Sequence, residues 1–120
     1  MLLFSIKNHQ TMYNDNRRKF GGASLELVVV LAQLKYLVSK NQFQLVNRRA
    51  HHAQAVTTTL AKVIVNQLST SDFQKYEEDR DRPKEYVWVF VTDYGDTYYI
   101  KFKFINNTQM VRFISFHLAD

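Results

Sequence analysis

Two stretches near the C-terminus carry side chains whose types and spacing suit acid–base chemistry. In residues 98–104 (YYIKFKF) the alternation of a strand puts Tyr99, Lys101 and Lys103 on one face. Tyr98, Ile100, Phe102 and Phe104 then point into a core. In residues 111–118 (VRFISFHL) the same count groups Val111, Phe113, Ser115 and His117, with Arg112, Ile114, Phe116 and Leu118 opposite. Paired as a hairpin, the two stretches bring Tyr99 and Lys101 beside Ser115 and His117. Such a set suits cleavage of an RNA backbone without a metal. The ribose 2′-OH must lose a proton, the 5′-oxygen must gain one, and the phosphorane charge must be stabilised. An imidazole, titrating near ~6.5, serves as acid or base at neutral pH. Lysines stabilise phosphate charge, and a tyrosine donates a hydrogen bond or acts as a base where its surroundings allow. The same pattern also describes a wet sheet face of amphipathic residues, and alternation alone does not decide between the two.

The elements that must hold these residues are legible in part. Residues 86–91 (YVWVFV) are strand formers apolar on both faces, hence a central strand. Asp93-Tyr94-Gly95-Asp96 reads as a hairpin turn, residues 98–105 as the next strand, Asn106-Asn107 as a second turn and residues 111–118 as a third strand. Upstream, Ser24 is placed to cap a helix reaching Lys40, with Leu27, Leu31, Leu34 and Val38 on its apolar face and Glu26, Gln33 and Lys40 on a polar one. Asn41 suits its end. Residues 43–46 read as a short strand. Residues 57–67 read as a second helix, with Leu60, Val63, Ile64 and Leu68 sharing a face. The expected class is α+β: a small antiparallel sheet, made of the three-stranded meander plus the short N-terminal strand, packed on two helices.

The chain has 120 residues, a single domain's worth, with no cysteine. Disulfide, thiol and cysteine–zinc chemistry are thereby excluded. No apolar run is long enough for a transmembrane helix, and MLLFSIK is too short for a secretory signal. A soluble, cytoplasmic protein is expected. Residues 1–22 read as a flexible tail and 23–120 as the domain. Of the net charge of +5, residues 1–60 contribute +6 (8 Lys and Arg, 2 acids) and residues 61–120 contribute −1 (8 against 9). The basic half can meet phosphates or an acidic partner. His51-His52 are adjacent and therefore diverge, which makes a poor chelating pair. Glu77, Glu78, Asp79 and Asp81 invite a metal, but the interleaved Arg80 and Arg82 read as self-neutralising surface.

The segment LSTSDFQK (68–75), Val87-Trp88, Tyr99-Ile-Lys101 and the closing Ile114-Ser-Phe-His117 resemble the MqsR family. LAQLKYLVSKNQF (31–43) followed by Arg48-Arg49 is similar to the family's first helix and basic strand. These are toxins of bacterial toxin–antitoxin pairs, mRNA interferases with a RelE-like fold. The resemblance covers roughly residues 30–118. It implies an active-site lysine at Lys75 and an active-site tyrosine at Tyr99. His117 falls where the best-known members carry lysine, and Val89 falls where a functional glutamine is common. It further implies 2′,3′-cyclic phosphate and 5′-hydroxyl products, no cofactor or metal, mRNA as substrate and a cognate antitoxin as partner.

The expected catalytic set is therefore Lys75, Tyr99 and His117. Arg48, Arg49, Lys101 and Lys103 form the expected RNA-binding set. Two other classes remain open on the sequence. One is an RNA- or protein-binding regulator of the same fold without catalysis; the other is a dimerisation protein using exposed aromatics.

Overall fold

The computed structural model of the chain describes residues 19–20, 23–46 and 56–119. Strands β1 (Lys19–Phe20) and β2 (Ala23–Ser24) pair antiparallel just ahead of helix α1 (Leu25–Ser39). Then come β3 (Phe43–Leu45), α2 (Thr58–Gln67), a 3-10 turn (Thr70–Asp72), β4 (Phe73–Glu78), β5 (Tyr86–Tyr94), β6 (Asp96–Ile105) and β7 (Met110–Leu118). The main sheet has five strands in the order β3-β7-β6-β5-β4. All pairs are antiparallel except β3 with β7, which is parallel. The class is α+β as expected, but the sheet is mixed and has one strand more. The additional strand is β4, which carries Lys75.

Helix α1 ends where Asn41 takes a positive φ of 63°. Its buried stripe, Leu27, Val30, Leu31, Leu34, Leu37 and Val38, is wider than the expected one. Helix α2 starts at a Thr57 cap, whose hydroxyl accepts the Leu60 N–H at 3.1 Å. Its inward face is Ala61, Ile64 and Val65, with Leu68 just beyond; Val63, expected inside, is exposed. Both helices cover one face of the sheet. There Trp88, Phe90, Tyr98, Ile100, Phe102, Val111, Phe113 and Phe116 complete the core. Gly95, at φ 81°, makes the β5–β6 turn, and Thr97 donates to Asp93 across it at 2.7 Å.

Two bulges decide which residues reach the other face. Phe73 pairs with Phe90 and Lys75 with Val89, so Gln74 is an extra residue in β4. In an unbulged strand, Phe73 and Lys75, two residues apart, would lie on the same side. In β7, Lys101 pairs with Ser115 but Phe102 with Phe113, so Ile114 is extra. The alternation read from sequence therefore fails halfway along β7. Phe113 and Val111 are fully buried with the core, not on the side of His117. Arg112, opposite Lys103, joins the face that carries Tyr99, Lys101, Ser115 and His117.

Glu26, expected on a polar stripe, is only 4% exposed. Burial pushes its carboxyl up to about 7. Because the folded value lies above the unfolded 4.5, this residue makes the fold lose stability as pH rises from about 4.5 to 7. Glu26→Gln is expected to stabilise the protein at pH 8 and to change little at pH 4.5, read from urea midpoints at the two pH values. Equal effects at both would contradict a buried, proton-holding carboxyl.

The β6–β7 turn is left-handed. Asn106, Asn107 and Thr108 have φ of 54°, 57° and 60°, and the Gln109 N–H donates to Ile105 and Asn106 carbonyls at 3.1 Å. The Gln33 side chain fixes the turn from α1, donating to the Thr108 carbonyl at 3.1 Å. Asparagine tolerates this conformation, whereas β-branched threonine is strained in it. Thr108→Asn is expected to raise stability by about 1 kcal/mol, measured by urea denaturation. A loss instead would mean that the Thr108 hydroxyl bond to the Asn107 carbonyl outweighs the strain.

Candidate functional site

The sheet face turned away from α1 and α2 is built in three rows by strand register. The first is Val91, Tyr99 and His117, the second Lys75, Val89, Lys101 and Ser115. The third holds Glu77 with Val87 on one side and Lys103 with Arg112 on the other. Gln44 of β3 continues this last row beyond Arg112. Val87 and Val89 are each 1% exposed yet lie outside the helix-side core, so they form an apolar floor under the charged side chains.

Tyr99 and His117 are directly opposed cross-strand partners, and their rings stack at 5.5 Å between centroids and 26° between planes. His117 Nδ1 lies 2.9 Å from the Leu118 carbonyl oxygen. A carbonyl only accepts, so Nδ1 carries the proton in this contact. In the neutral ring, Nε2 then holds the lone pair and is the atom able to take a proton.

Lys101 stands one row from Tyr99 on the same strand. Lys75 is two strands away and one row offset, so its backbone is roughly 12 Å from that of Tyr99 at sheet spacings. A lysine stem spans much of that gap. Lys75 Nζ lies 3.2 Å from Glu77 Oε1, and Lys101 Nζ lies 3.6 Å from Glu77 Oε2. These hydrogen bonds and charges, led by the Lys75 bond, hold the Glu77 carboxyl below its usual value against a smaller opposing effect of burial.

Lys103 lies on the expected face, but its ammonium is engaged elsewhere. Its side chain is 10% exposed, and its ammonium donates to Asp79 and Glu85, each at 2.8 Å. Two carboxylates already satisfy it, so it is committed to the β4–β5 connection. Burial opposes the ionised forms of both Lys103 and Asp79. The bonds and charges between them win, lifting Lys103 above 10.5 and lowering Asp79 below 3.8. Glu77 and Asp79 of the acidic run are thus paired with sheet lysines. The expected partners Arg80 and Arg82 supply no side-chain ion pair to it among the described residues, although the Arg82 backbone N–H donates to the Asp79 carbonyl. Among those residues no three His, Asp or Glu side chains group to hold a metal.

Arg48 and Arg49 lie outside the described residues, as do His51 and His52. The ends of that segment are nevertheless fixed. Val46 N–H donates to Phe113 and Val56 N–H to Phe116, at 3.1 and 3.4 Å, both on β7. Sequence reasoning missed Arg112, which the Ile114 bulge brings to this face, and Glu77, which the run of charges disguised as loop surface.

A two-helix layer on a mixed five-stranded sheet, with a Tyr–His pair and charged side chains on the far face, defines a small α+β protein. The family model of the MqsR toxins, described as the motility quorum-sensing regulator and toxin of MqsA, matches residues 28–118. The chain belongs to the MqsR toxin family, and is thus a toxin of a toxin–antitoxin system with a cognate antitoxin of the MqsA kind. Comparisons with curated proteins and with solved structures returned no match. Among the described residues no helix is long and apolar enough to cross a membrane.

Proposed function

We propose that the protein is a metal-independent endoribonuclease that cleaves mRNA through attack of a 2′-OH on the adjacent phosphate. The observation that carries this reading is the stacked Tyr99–His117 pair beside Lys101 on the far face of the sheet. His117 takes the 2′-OH proton through Nε2. Tyr99 holds that hydroxyl in line, and Lys101 with Lys75 stabilises the pentacoordinate phosphorus. The bond from phosphorus to the 2′-oxygen forms as the bond to the 5′-oxygen breaks. The imidazolium returns its proton to the departing 5′-oxygen, leaving a 2′,3′-cyclic phosphate and a 5′-hydroxyl. Arg48 and Arg49 hold the RNA backbone, as does Arg112. Residues 23–120 form the toxin domain in this reading, acting in the cytoplasm. Lys103 is left out of the RNA-binding set because its charge is already matched.

Expression of the full chain in bacteria without its antitoxin tests this. Growth arrest with fragmented mRNA is expected, and robust growth of cells making folded protein would overturn it. A binding regulator without catalysis is the second reading. It draws on Val89, an apolar residue set between Lys75 and Lys101 where the resemblance implies a glutamine. Intact RNA after long incubation with bound protein would favour it.

A further inference from the structure

The carboxylate of Glu77 occupies a place the proposed reaction needs for phosphate. Its two oxygens are used separately: Oε1 meets Lys75 at 3.2 Å and Oε2 meets Lys101 at 3.6 Å. Both lysines belong to the row that crosses Val89, and Glu77 reaches them from the next position on its strand face. The floor beneath, Val87 and Val89, offers no side-chain donor or acceptor. A carboxylate and a phosphodiester each spread a single negative charge over two oxygens, so the same pair of ammonium groups accepts either. The arrangement is also accessible, since the Lys75 side chain is 56% exposed and that of Glu77 35%.

We propose that Glu77 is a built-in placeholder for the RNA phosphate, bridging Lys75 and Lys101 in the free toxin and yielding them when a phosphodiester binds. This rests on the reading of the far sheet face as the RNA site. Glu77 is here a regulatory residue: it touches no reacting atom and sets how readily the anion site accepts substrate. Exposed ion pairs are individually weak, so the carboxylate can be displaced by a polyanion that also engages other cations. A bare pair of neighbouring lysines would attract any cellular polyanion. The intramolecular carboxylate raises the threshold for entry, favouring strands that bring several phosphates at once.

The test is equilibrium binding of a short fluorescein-labelled single-stranded RNA with 2′-O-methyl riboses, which cannot be cleaved, followed by anisotropy across a NaCl series. Glu77→Gln is expected to bind about tenfold tighter than the wild type at low salt, because two lysines are released to the phosphates. The log–log salt dependence should steepen by about 1. Glu78→Gln removes the same charge from the opposite face of the same strand, where that carboxylate accepts the Lys84 N–H. It should change affinity less than about twofold. In a Lys75→Gln/Lys101→Gln background, Glu77→Gln should give no gain. Glu77→Thr, a good strand former, is expected to reproduce the gain and keeps the test open if the glutamine variant misfolds.

Unchanged affinity and slope in both folded Glu77 variants, with the wild type binding RNA, would overturn the placeholder and leave the RNA site standing. An equal gain from Glu78→Gln, or a gain that persists without the two lysines, would also overturn it, as a general charge effect. Absence of RNA binding by the wild type and both Glu77 variants would instead reject the RNA reading, and the placeholder with it.

Discussion

Lys103→Met is expected to cost the fold about 3–5 kcal/mol, the usual penalty for removing one partner of a buried ion pair. The ammonium bridges Asp79 and Glu85, and Asp79 is almost as enclosed as the lysine, at 11% exposure. Methionine keeps the stem's packing but leaves the Asp79 carboxylate with backbone donors only, chiefly the Asp81 N–H at 2.9 Å. The same lysine staples the β4–β5 connection to β6. That connection closes on itself through the Asp79 N–H to the Glu85 carbonyl at 2.8 Å and carries a strained Lys84 at φ 79°. With a total stability of typically 5–15 kcal/mol, such a loss is read directly from urea denaturation. The pH dependence has two ends. Asp79 titrates below its unfolded value of 3.8, so its contribution is present above that pH and disappears on further acidification. Lys103 titrates above 10.5, so its contribution is present below that pH and is lost in stronger alkali. Lys103→Met should remove the alkaline dependence and shift the acid one upward, because burial then acts on Asp79 against its backbone donors alone, and Asp79→Asn added to it should recover part of the loss. A change under about 1 kcal/mol would reduce the bridge to an ordinary surface pair.

His117→Ala is expected to lower the cleavage rate by about 10²- to 10⁴-fold, the range for loss of a general acid–base group. Its ring is half-buried at the end of β7 and outside the core, so stability should hardly change. Tyr99→Phe keeps the ring that stacks on His117 and removes only the hydroxyl, so its smaller loss reports the hydroxyl alone. His117→Lys, which installs the residue that the family resemblance places there, should retain more activity than alanine and move the rate optimum to higher pH. A lysine variant no better than alanine would mean that position 117 serves through its ring and not through its proton. If Lys101→Met lowered RNA affinity no more than Lys103→Met, measured where both are folded, the phosphate role given to Lys101 would be wrong.

The meander was legible because residues 86–91 and 98–104 announce themselves: strand formers without charge, then clean alternation. The neighbourhood of Tyr99 and His117 followed from it, and the register bears that pairing out. What stayed hidden has specific causes. Strand β4, FQKYEE, is half charged, and its Gln74 bulge breaks the period of two that marks a strand. The Ile114 bulge lies inside a stretch that alternates perfectly on paper, so Arg112 and Phe113 were assigned to each other's faces. A bulge is a product of pairing, and no residue in VRFISFH announces it. Glu26 kept heptad company with Gln33 and Lys40, yet it is buried in the first turn of α1, where the seven-residue spacing alone does not show what packs over it. Parallel pairing of β3 with β7 joins residues nearly seventy apart, a contact that local patterns do not encode. Lys103 was placed on the correct face, but its charge is set by Asp79 and Glu85, whose approach depends on how the connection between β4 and β5 folds back.

The most direct measurement is cleavage of a defined mRNA in EDTA by the wild type, His117→Ala and Tyr99→Phe, with product ends identified. Sequence-biased cutting by the wild type, 2′,3′-cyclic phosphate ends and strong loss in both variants are expected of a metal-independent ribonuclease centred on the Tyr99–His117 pair. Undiminished cutting by both variants would contradict that centre and move the site toward Lys75 and the arginines. RNA left intact by all three, ribosomes included in the reaction, would contradict the ribonuclease itself.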